Sequence, residues 1–226
     1  MNRLQSLPRR RAAIAAILAL SLPMGLTACS GSRKVTDPVV GITTEQGTEL
    51  GVSTEYGVVF LGRTAERGEV LVEAWFGDGP SLERSVIEPV GEGIFTAEMD
   101  IRLPLVTVSF LAPEDGESLE ILGRQGAKQW TAKTKARRVA GVTGVLVDEP
   151  KSFVDSPDQV GAGVYRRTGT FTRELIGLVS GRVQLQREGK VETYLAVVGP
   201  DTLWRLAAHR KDRIRRKPFV YREDIF

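Results

Sequence analysis

The sequence predicts an all-β fold, either a sandwich or a barrel, followed by one C-terminal helix. Short apolar or alternating runs recur from Tyr56 onward at spacings of roughly 8–12 residues, as is typical of such folds. Turn residues separate the runs, and 24 glycines in 226 residues amount to about 11%, above the ~7% average. Twelve runs of this kind favour antiparallel strands over alternating strand–helix units.

The run from Glu69 to Phe76 shows the strand pattern most clearly. Val70, Val72 and Ala74 fall on one side of an extended chain, a period of two. The predicted strands of the first half are 56–61, 69–76, 85–90, 93–99, 105–111 and 118–122. Those of the second half are 129–134, 142–147, 160–165, 174–179, 182–186 and 191–198.

A helix is predicted near the C-terminal end of the sequence. Pro200 and Asp201 are residues that begin helices, and Leu203, Leu206 and Ala207 follow at helical spacing. We expect these three side chains to form the face that packs against the strands.

The first 28 residues have the three-part layout of a secretory signal. Four arginines precede an apolar run over 12–22, and small residues follow it. Eleven residues in a helix rise only ~16 Å, about half of the ~30 Å hydrocarbon core of a bilayer. The run is therefore predicted to be a removable signal and not a permanent membrane span.

The segment Leu26-Thr27-Ala28-Cys29 resembles the lipobox of bacterial lipoproteins. The resemblance implies cleavage before Cys29 and attachment of lipid to that cysteine. Cys29 is the only cysteine, so the chain can form no internal disulfide. We expect a lipid-anchored protein of the cell envelope, with the outer membrane favoured in a diderm bacterium because Ser30 is not the aspartate associated with inner-membrane retention. The arginine run leaves both the general secretory and the twin-arginine export routes open.

Six runs, six further runs and a C-terminal helix are similar to the layout of trypsin-like serine proteases. Two segments strengthen the resemblance, which covers 55–215. The segment 76–103 contains Asp100 and resembles the part of the family that carries the catalytic aspartate. Gln159-Val160-Gly161-Ala162-Gly163-Val164, followed by 174–181, resembles the nucleophile turn and the next strand. The resemblance implies two six-stranded antiparallel β-barrels with a C-terminal helix.

The expected domains follow from these features. Residues 1–28 form the signal, 29–54 the lipidated cysteine and a flexible tether, 55–135 the first barrel, and 136–226 the second barrel with the helix. The tether is predicted because its sequence is poor in large apolar residues and contains Gly, Thr, Asp and Pro.

The catalytic groups that the resemblance implies are incomplete. A serine protease uses a nucleophile, a histidine and a carboxylate, and only Asp100 has a counterpart, as a vestigial acid. The sole histidine, His209, follows Asp100 by more than 100 residues. Ala162 stands at the expected nucleophile position, or Gly163 if the frame slips by one, and neither can attack a carbonyl. The prediction is a protein that is not an enzyme, with no catalytic residue, metal or cofactor.

A basic segment lies in and after the predicted helix. Its members are Arg205, Arg210, Lys211, Arg213, Arg215, Arg216 and Lys217. Such a segment can bind anionic lipid or an acidic envelope polymer, or it can pair with acids elsewhere in the fold. Four of the 31 Lys and Arg residues and none of the 28 acidic residues precede Cys29, so the mature chain carries −1. The pI near 9.1 describes the precursor, and nucleic acid is not an expected partner.

The leading functional hypothesis is a lipid-anchored, non-catalytic binding or scaffolding protein of the envelope, with the membrane and an envelope protein or anionic polymer as partners. One alternative is a serine hydrolase with a different dyad, such as Ser180 and a nearby lysine. Another is a structural envelope protein that contacts anionic lipid or polymer through its basic helix.

Overall fold

The computed structural model describes residues 38–216 except 65, 77–78, 101–102, 154–158, 171 and 188, and the side chains of the last helix as far as Lys211. The predicted signal, Cys29 and the side chains at 213–217 lie outside the described residues. Within them the chain forms thirteen strands and one helix. The strands are β1 (Val39–Thr44), β2 (Gly47–Thr54), β3 (Gly57–Phe60), β4 (Glu69–Phe76), β5 (Gly79–Gly91), β6 (Ile94–Ala97), β7 (Thr107–Val108), β8 (Ser118–Gln125), β9 (Lys128–Arg137), β10 (Val145–Asp148), β11 (Gly163–Arg167), β12 (Arg173–Arg187) and β13 (Lys190–Val198), and the helix is α1 (Pro200–Arg216).

The first six strands close into a barrel in the order β1-β2-β3-β6-β5-β4. Every neighbouring pair is antiparallel. The interior of this barrel is apolar and includes Val58 and Phe60 of β3 with Ile42 of β1. The β4 residues Val70 and Val72, which the alternating pattern places on one face, lie in the same interior.

The second barrel has the order β11-β8-β9-β10-β13-β12 and closes through the pairing of β11 with β12. The two-residue strand β7 adds to β12 in parallel. Two six-stranded antiparallel barrels and a C-terminal helix are therefore confirmed.

A separate apolar cluster fills the second barrel and extends to the facing side of the first, and we call it the shared core. In β3 the side chains alternate, so Val58 and Phe60 fill the first barrel while Val59 faces the second barrel. Leu50 and Val52 of β2 lie in the same shared core as residues of β11 and β12. One strand thus serves both barrels, and the contact between them is continuous with the interior of the second.

The observed boundaries differ from the predicted ones. Strands β1 and β2 lie inside the predicted tether. Each has few large apolar residues, but both are strands because they pair along both edges when the barrel closes. The first barrel ends at Ala97 and the second begins at Ser118, so the hairpin of β8 and β9 belongs to the second barrel. The predicted runs 174–179 and 182–186 are one strand, β12, with a bulge at Ser180.

Helix α1 packs on the strands through Leu203 and Leu206, which are both buried as expected. Ala207, expected on the same face, is exposed. At ~3.6 residues per turn Ala207 lies about 100° around the helix from Leu206, so it falls at the edge of the packed face. Within the described residues, no helix has the length and apolar character needed to span a bilayer.

Candidate functional site

The turn before β11 is the predicted nucleophile turn, and it is docked on the first barrel. The Leu50 N–H donates to the carbonyl of Val160 at 2.7 Å, and the Gly161 N–H donates to the carbonyl of Val179 at 2.8 Å. Gly161 has a φ of +88°, and a Cβ built there would lie 1.8 Å from the Leu50 carbonyl oxygen. Only glycine fits this position, because both the backbone conformation and the available space exclude a side chain.

Ala162 and Gly163 follow inside the shared core. Ala162 is fully buried, and its carbonyl accepts a hydrogen bond from Val179 N at 2.9 Å. A Cβ at Gly163 would lie 2.4 Å from the Tyr165 hydroxyl. The position at which the sequence placed a nucleophile therefore faces the interior, and the side chain of this turn that reaches the surface is Val160.

Gln159 ties the same turn to the β8–β9 hairpin. Its side chain is buried, accepts a hydrogen bond from Trp130 Nε1 at 2.8 Å and donates to the carbonyl of Arg124 at 2.9 Å. Both ends of the amide are thus satisfied, as burial of a polar group requires. The sequence places Gln159 in this turn but does not predict its burial, because nothing local marks a glutamine as buried.

Glu49 of β2 fixes the turn that follows β3. Its carboxylate is buried and accepts hydrogen bonds from the N–H groups of Leu61 at 3.3 Å and Thr64 at 3.1 Å, and from the Thr64 hydroxyl at 3.1 Å. Burial raises the pKa of Glu49 above its usual value, while the hydrogen bonds from Thr64 and Leu61 act in the opposite direction. The carboxylate thus orders residues 61–64.

Arg63, within this turn, bridges the two barrels. Its Nη2 donates to the carbonyl of Ser180 at 3.2 Å, and its side chain is otherwise exposed. Ser180 is the bulged residue of β12, and its hydroxyl donates to the carbonyl of Ala196 at 3.1 Å. Arg63 lines an open groove of about 490 Å³. Its lining consists of Gln46, Gly62, Arg63, Thr64, Glu66 and Arg67.

The structure gives Asp100, His209 and Ser180 different partners. Asp100 is exposed, and its N–H donates to Glu83 Oε1 at 2.8 Å. His209 Nε2 lies 3.3 Å from Glu88 Oε2 of β5. The cation in contact with Ser180 is Arg63, which stays protonated and cannot take a proton from the serine. The contacts of Ser180 therefore differ from those of the predicted dyad with lysine.

Part of the basic segment is occupied by contacts with the first barrel. Arg205 forms an ion pair with Glu92 and stacks on Trp204 at 5.2 Å. Arg210 Nη1 donates to the carbonyl of Glu55 at 2.9 Å, and its guanidinium lies 5.7 Å from the ring centre of Tyr56. These two arginines fit the interpretation in which the basic residues pair within the fold, whereas Lys211 is exposed.

No protein-family model and no curated protein sequence matches this chain. Solved structures do match. The serine protease of a human pathogenic astrovirus has a TM-score of 0.51 and 12% identity, with 73% of this chain and 91% of that chain covered. Kallikrein-related peptidase 10, solved with Zn²⁺, has a TM-score of 0.54 and 10% identity, with 80% of this chain and 97% of that chain covered.

These likenesses contradict the prediction that the chain is not an enzyme, because the solved proteins that share its fold are proteases. The prediction depended on an inert residue at the nucleophile position and on the absence of a histidine before Asp100. Ala162 is buried in the shared core. The residue at this position is therefore not the one whose side chain faces the surface between the barrels. Over the described residues, the chain adopts the two-barrel fold of trypsin-like serine proteases.

Proposed function

We propose that the protein is a lipid-anchored component of a bacterial cell envelope that binds an acidic polypeptide segment at the Arg63 groove. The lipobox-like segment ending at Cys29 supports the anchor, since it follows a basic stretch and an apolar run in the order of a secretory signal. Binding at the groove is supported by the placement of Arg63.

The bridge between Arg63 and Ser180 is the observation that carries this proposal. The Glu49 carboxylate orders the turn by accepting from the Thr64 N–H, and the Ser180 carbonyl accepts a hydrogen bond from one nitrogen of the guanidinium group. A cation that is already positioned loses less conformational freedom when it binds a ligand. The other N–H donors of the Arg63 guanidinium group belong to an exposed side chain, so a ligand can reach them. A guanidinium group can bind both oxygens of a carboxylate at once.

The rest of the groove suits an extended peptide. Arg67 adds a second cation, with Glu66 as the opposing charge, and Gln46 supplies an amide that can donate to and accept from peptide groups. A second groove of about 560 Å³ includes Gln46, Thr64 and Arg67 and continues along β1 past Thr43 and Thr44, and Glu45, Glu69 and Arg84 also line it. The surface is thus long, polar and open and carries charges of both signs, so the preference for an acidic segment rests on Arg63.

Fluorescence anisotropy with the full chain in detergent tests the binding. The probes are two labelled peptides of equal length, one with glutamates and one with glutamines at the same positions. We expect the acidic peptide to bind more tightly, and Arg63→Gln to weaken its binding by about 10-fold or more, as for a charged hydrogen bond worth about 1.5–3 kcal/mol. Arg187→Gln, an exposed arginine at the end of β12, is the matched control. Equal losses of affinity for the acidic peptide in Arg63→Gln and Arg187→Gln would contradict the proposal.

Two further measurements on the same preparation complete the test. Incorporation of labelled palmitate into the wild type but not into Cys29→Ala is the expected result for the anchor. Because solved proteins with this fold are proteases, the bound peptide is also analysed for cleavage, and the protein is treated with a fluorophosphonate probe. Cleavage of the peptide would show that the groove binds it as a substrate.

A further inference from the structure

Three large apolar side chains are exposed on the segment that connects the barrels. Leu105 is 66% exposed, Phe110 40% and Leu111 72%. The ring of Tyr56 lies 6.3 Å from that of Phe110, so the turn between β2 and β3 and the connecting segment contribute to one surface. We call the surface that contains Tyr56, Leu105, Phe110, Leu111 and Arg210 the entry patch.

The entry patch lies where the chain enters the folded domain. The Ser53 N–H donates to the carbonyl of Pro38 at 2.8 Å, and the Ser53 carbonyl accepts from the N–H of Val106 at 3.1 Å. The N–H and C=O of one strand residue point to the same edge of the strand. Pro38 and Val106, the neighbour of Leu105, therefore lie side by side on one edge of β2.

The distance from this edge to the lipid is limited by the chain. Nine peptide units connect Cys29 to Pro38, and at ~3.3–3.6 Å per residue they reach about 30 Å when fully extended. Lipid on Cys29 would therefore hold Pro38, which lies beside the segment that carries the entry patch, within about 30 Å of the bilayer surface.

The cations of this surface fit an anionic membrane. Arg210 stacks on Tyr56 at 5.7 Å, and Lys211 follows it as an exposed residue. A basic residue close to an anionic membrane contributes about 1 kcal/mol of attraction, and apolar and aromatic side chains are favourable at the boundary of headgroups and acyl chains. Glu55 is the carboxylate next to Tyr56, and its Oε1 accepts from the N–H of Val108 at 3.2 Å. Glu114 and Asp115 follow Leu111 in the chain as exposed acids.

We infer that the entry patch rests on the headgroup region of the anionic bilayer that holds the Cys29 lipid. The inference uses the lipid anchor of the proposed function and is independent of the Arg63 groove. The same side of the folded domain then always faces the membrane, and the anchor and the entry patch together set the orientation of the domain.

Site-specific fluorescence of the full lipidated chain tests the orientation. The protein is reconstituted in vesicles of phosphatidylcholine and phosphatidylglycerol, and a bimane label is attached to Leu111→Cys. Since lipid blocks the thiol of Cys29, the introduced cysteine is the only one that reacts. The matched control is Val191→Cys, which is 64% exposed. Val191 pairs with Gln186 of β12, and Val108, near Leu111, pairs with Leu175 of the same strand. Gln186 and Leu175 are eleven residues apart, so the two labelled regions are separated by roughly 35 Å at ~3.3 Å per residue.

Brominated acyl chains quench a fluorophore that lies at the bilayer. We expect quenching at position 111 to be several-fold stronger than at position 191, and to fall when phosphatidylglycerol is replaced by phosphatidylcholine. Palmitate incorporation on the same sample separates the two proposals. A lipidated protein without quenching at position 111 overturns the entry patch and leaves the anchor intact. A protein without lipid on Cys29 overturns both the anchor and the entry patch.

Discussion

The Gly161 backbone packs directly against the Leu50 backbone, at a point where the two barrels meet. A Cβ on Gly161 would lie 1.8 Å from the carbonyl oxygen of Leu50, whose own N–H donates to Val160 at 2.7 Å. The turn before β11 is therefore held by main-chain atoms of β2 on one side and by the Gly161 bond to Val179 on the other. No side chain can be added at this point without separating the barrels.

Substitution of Gly161 by alanine should lower the free energy of unfolding by about 3–5 kcal/mol. The value combines backbone strain at positive φ with overpacking against a carbonyl. Gly189→Ala is the control, since Gly189 has a φ of +78° but no atom within 4 Å of an added Cβ. It should cost about 1 kcal/mol. Urea unfolding of both variants gives the comparison, and equal losses would show that the contact with Leu50 is unimportant.

Removal of the Glu49 carboxylate should loosen the turn that carries Arg63. Glu49→Ala leaves the N–H groups of Leu61 and Thr64 without their acceptor, at a cost of about 1–3 kcal/mol for the buried donors. Amide hydrogen exchange at these two residues should become faster. Glu69→Ala, at an exposed ion pair, should leave both rates unchanged. Unchanged exchange in Glu49→Ala would mean that other contacts order the turn.

The same carboxylate should make stability depend on pH. Burial raises the pKa of Glu49 in the folded state above its ordinary value of 4.5. The protonated form is therefore favoured by folding, and this contribution is complete below pH 4.5 and is lost as the pH rises through the folded pKa. Glutamine at position 49 does not titrate, so the wild type should lose stability relative to Glu49→Gln as the pH increases above 4.5. Parallel urea midpoints across that range would contradict the assignment.

An ion pair in the second barrel should have the opposite pH dependence. The hydrogen bond from Arg166, at 2.6 Å, lowers the pKa of Glu117, although burial acts against it. Its stabilisation is therefore present above the ordinary glutamate pKa of 4.5 and is lost as the pH falls through the lowered value. Glu117→Gln should cost about 1 kcal/mol at neutral pH, since both side chains are partly exposed.

Thermal unfolding at several pH values measures this effect. The difference between Glu117→Gln and the wild type should shrink in acid, whereas Glu45→Gln, on the exposed turn between β1 and β2, should show no such change. A difference that is constant with pH would argue that the substitution acts through packing and not through the charge.

The strands that sequence reasoning identified are those whose side chains alternate strongly or form an apolar run. β4 and β13 were found with their bounds nearly correct, and Leu203 and Leu206 marked the buried face of α1. β1 and β2 were missed, because their apolar residues alternate with Gly, Thr and Ser, the composition of a tether. They are strands because barrel closure supplies both of their edges with partners.

By itself, the sequence determined the all-β class, the C-terminal helix and the presence of a signal-like N-terminal segment, since these depend on hydrophobic periodicity and local composition. Only the tertiary structure decided that Ala162 is buried and that Arg63 meets Ser180, 117 residues away. Burial of Glu49 was likewise invisible in the sequence, because a charged residue is buried only where distant N–H and hydroxyl groups converge to satisfy it. The groups of the candidate site come together through the pairing of strand edges and the docking of one barrel on the other, and no local pattern encodes those contacts.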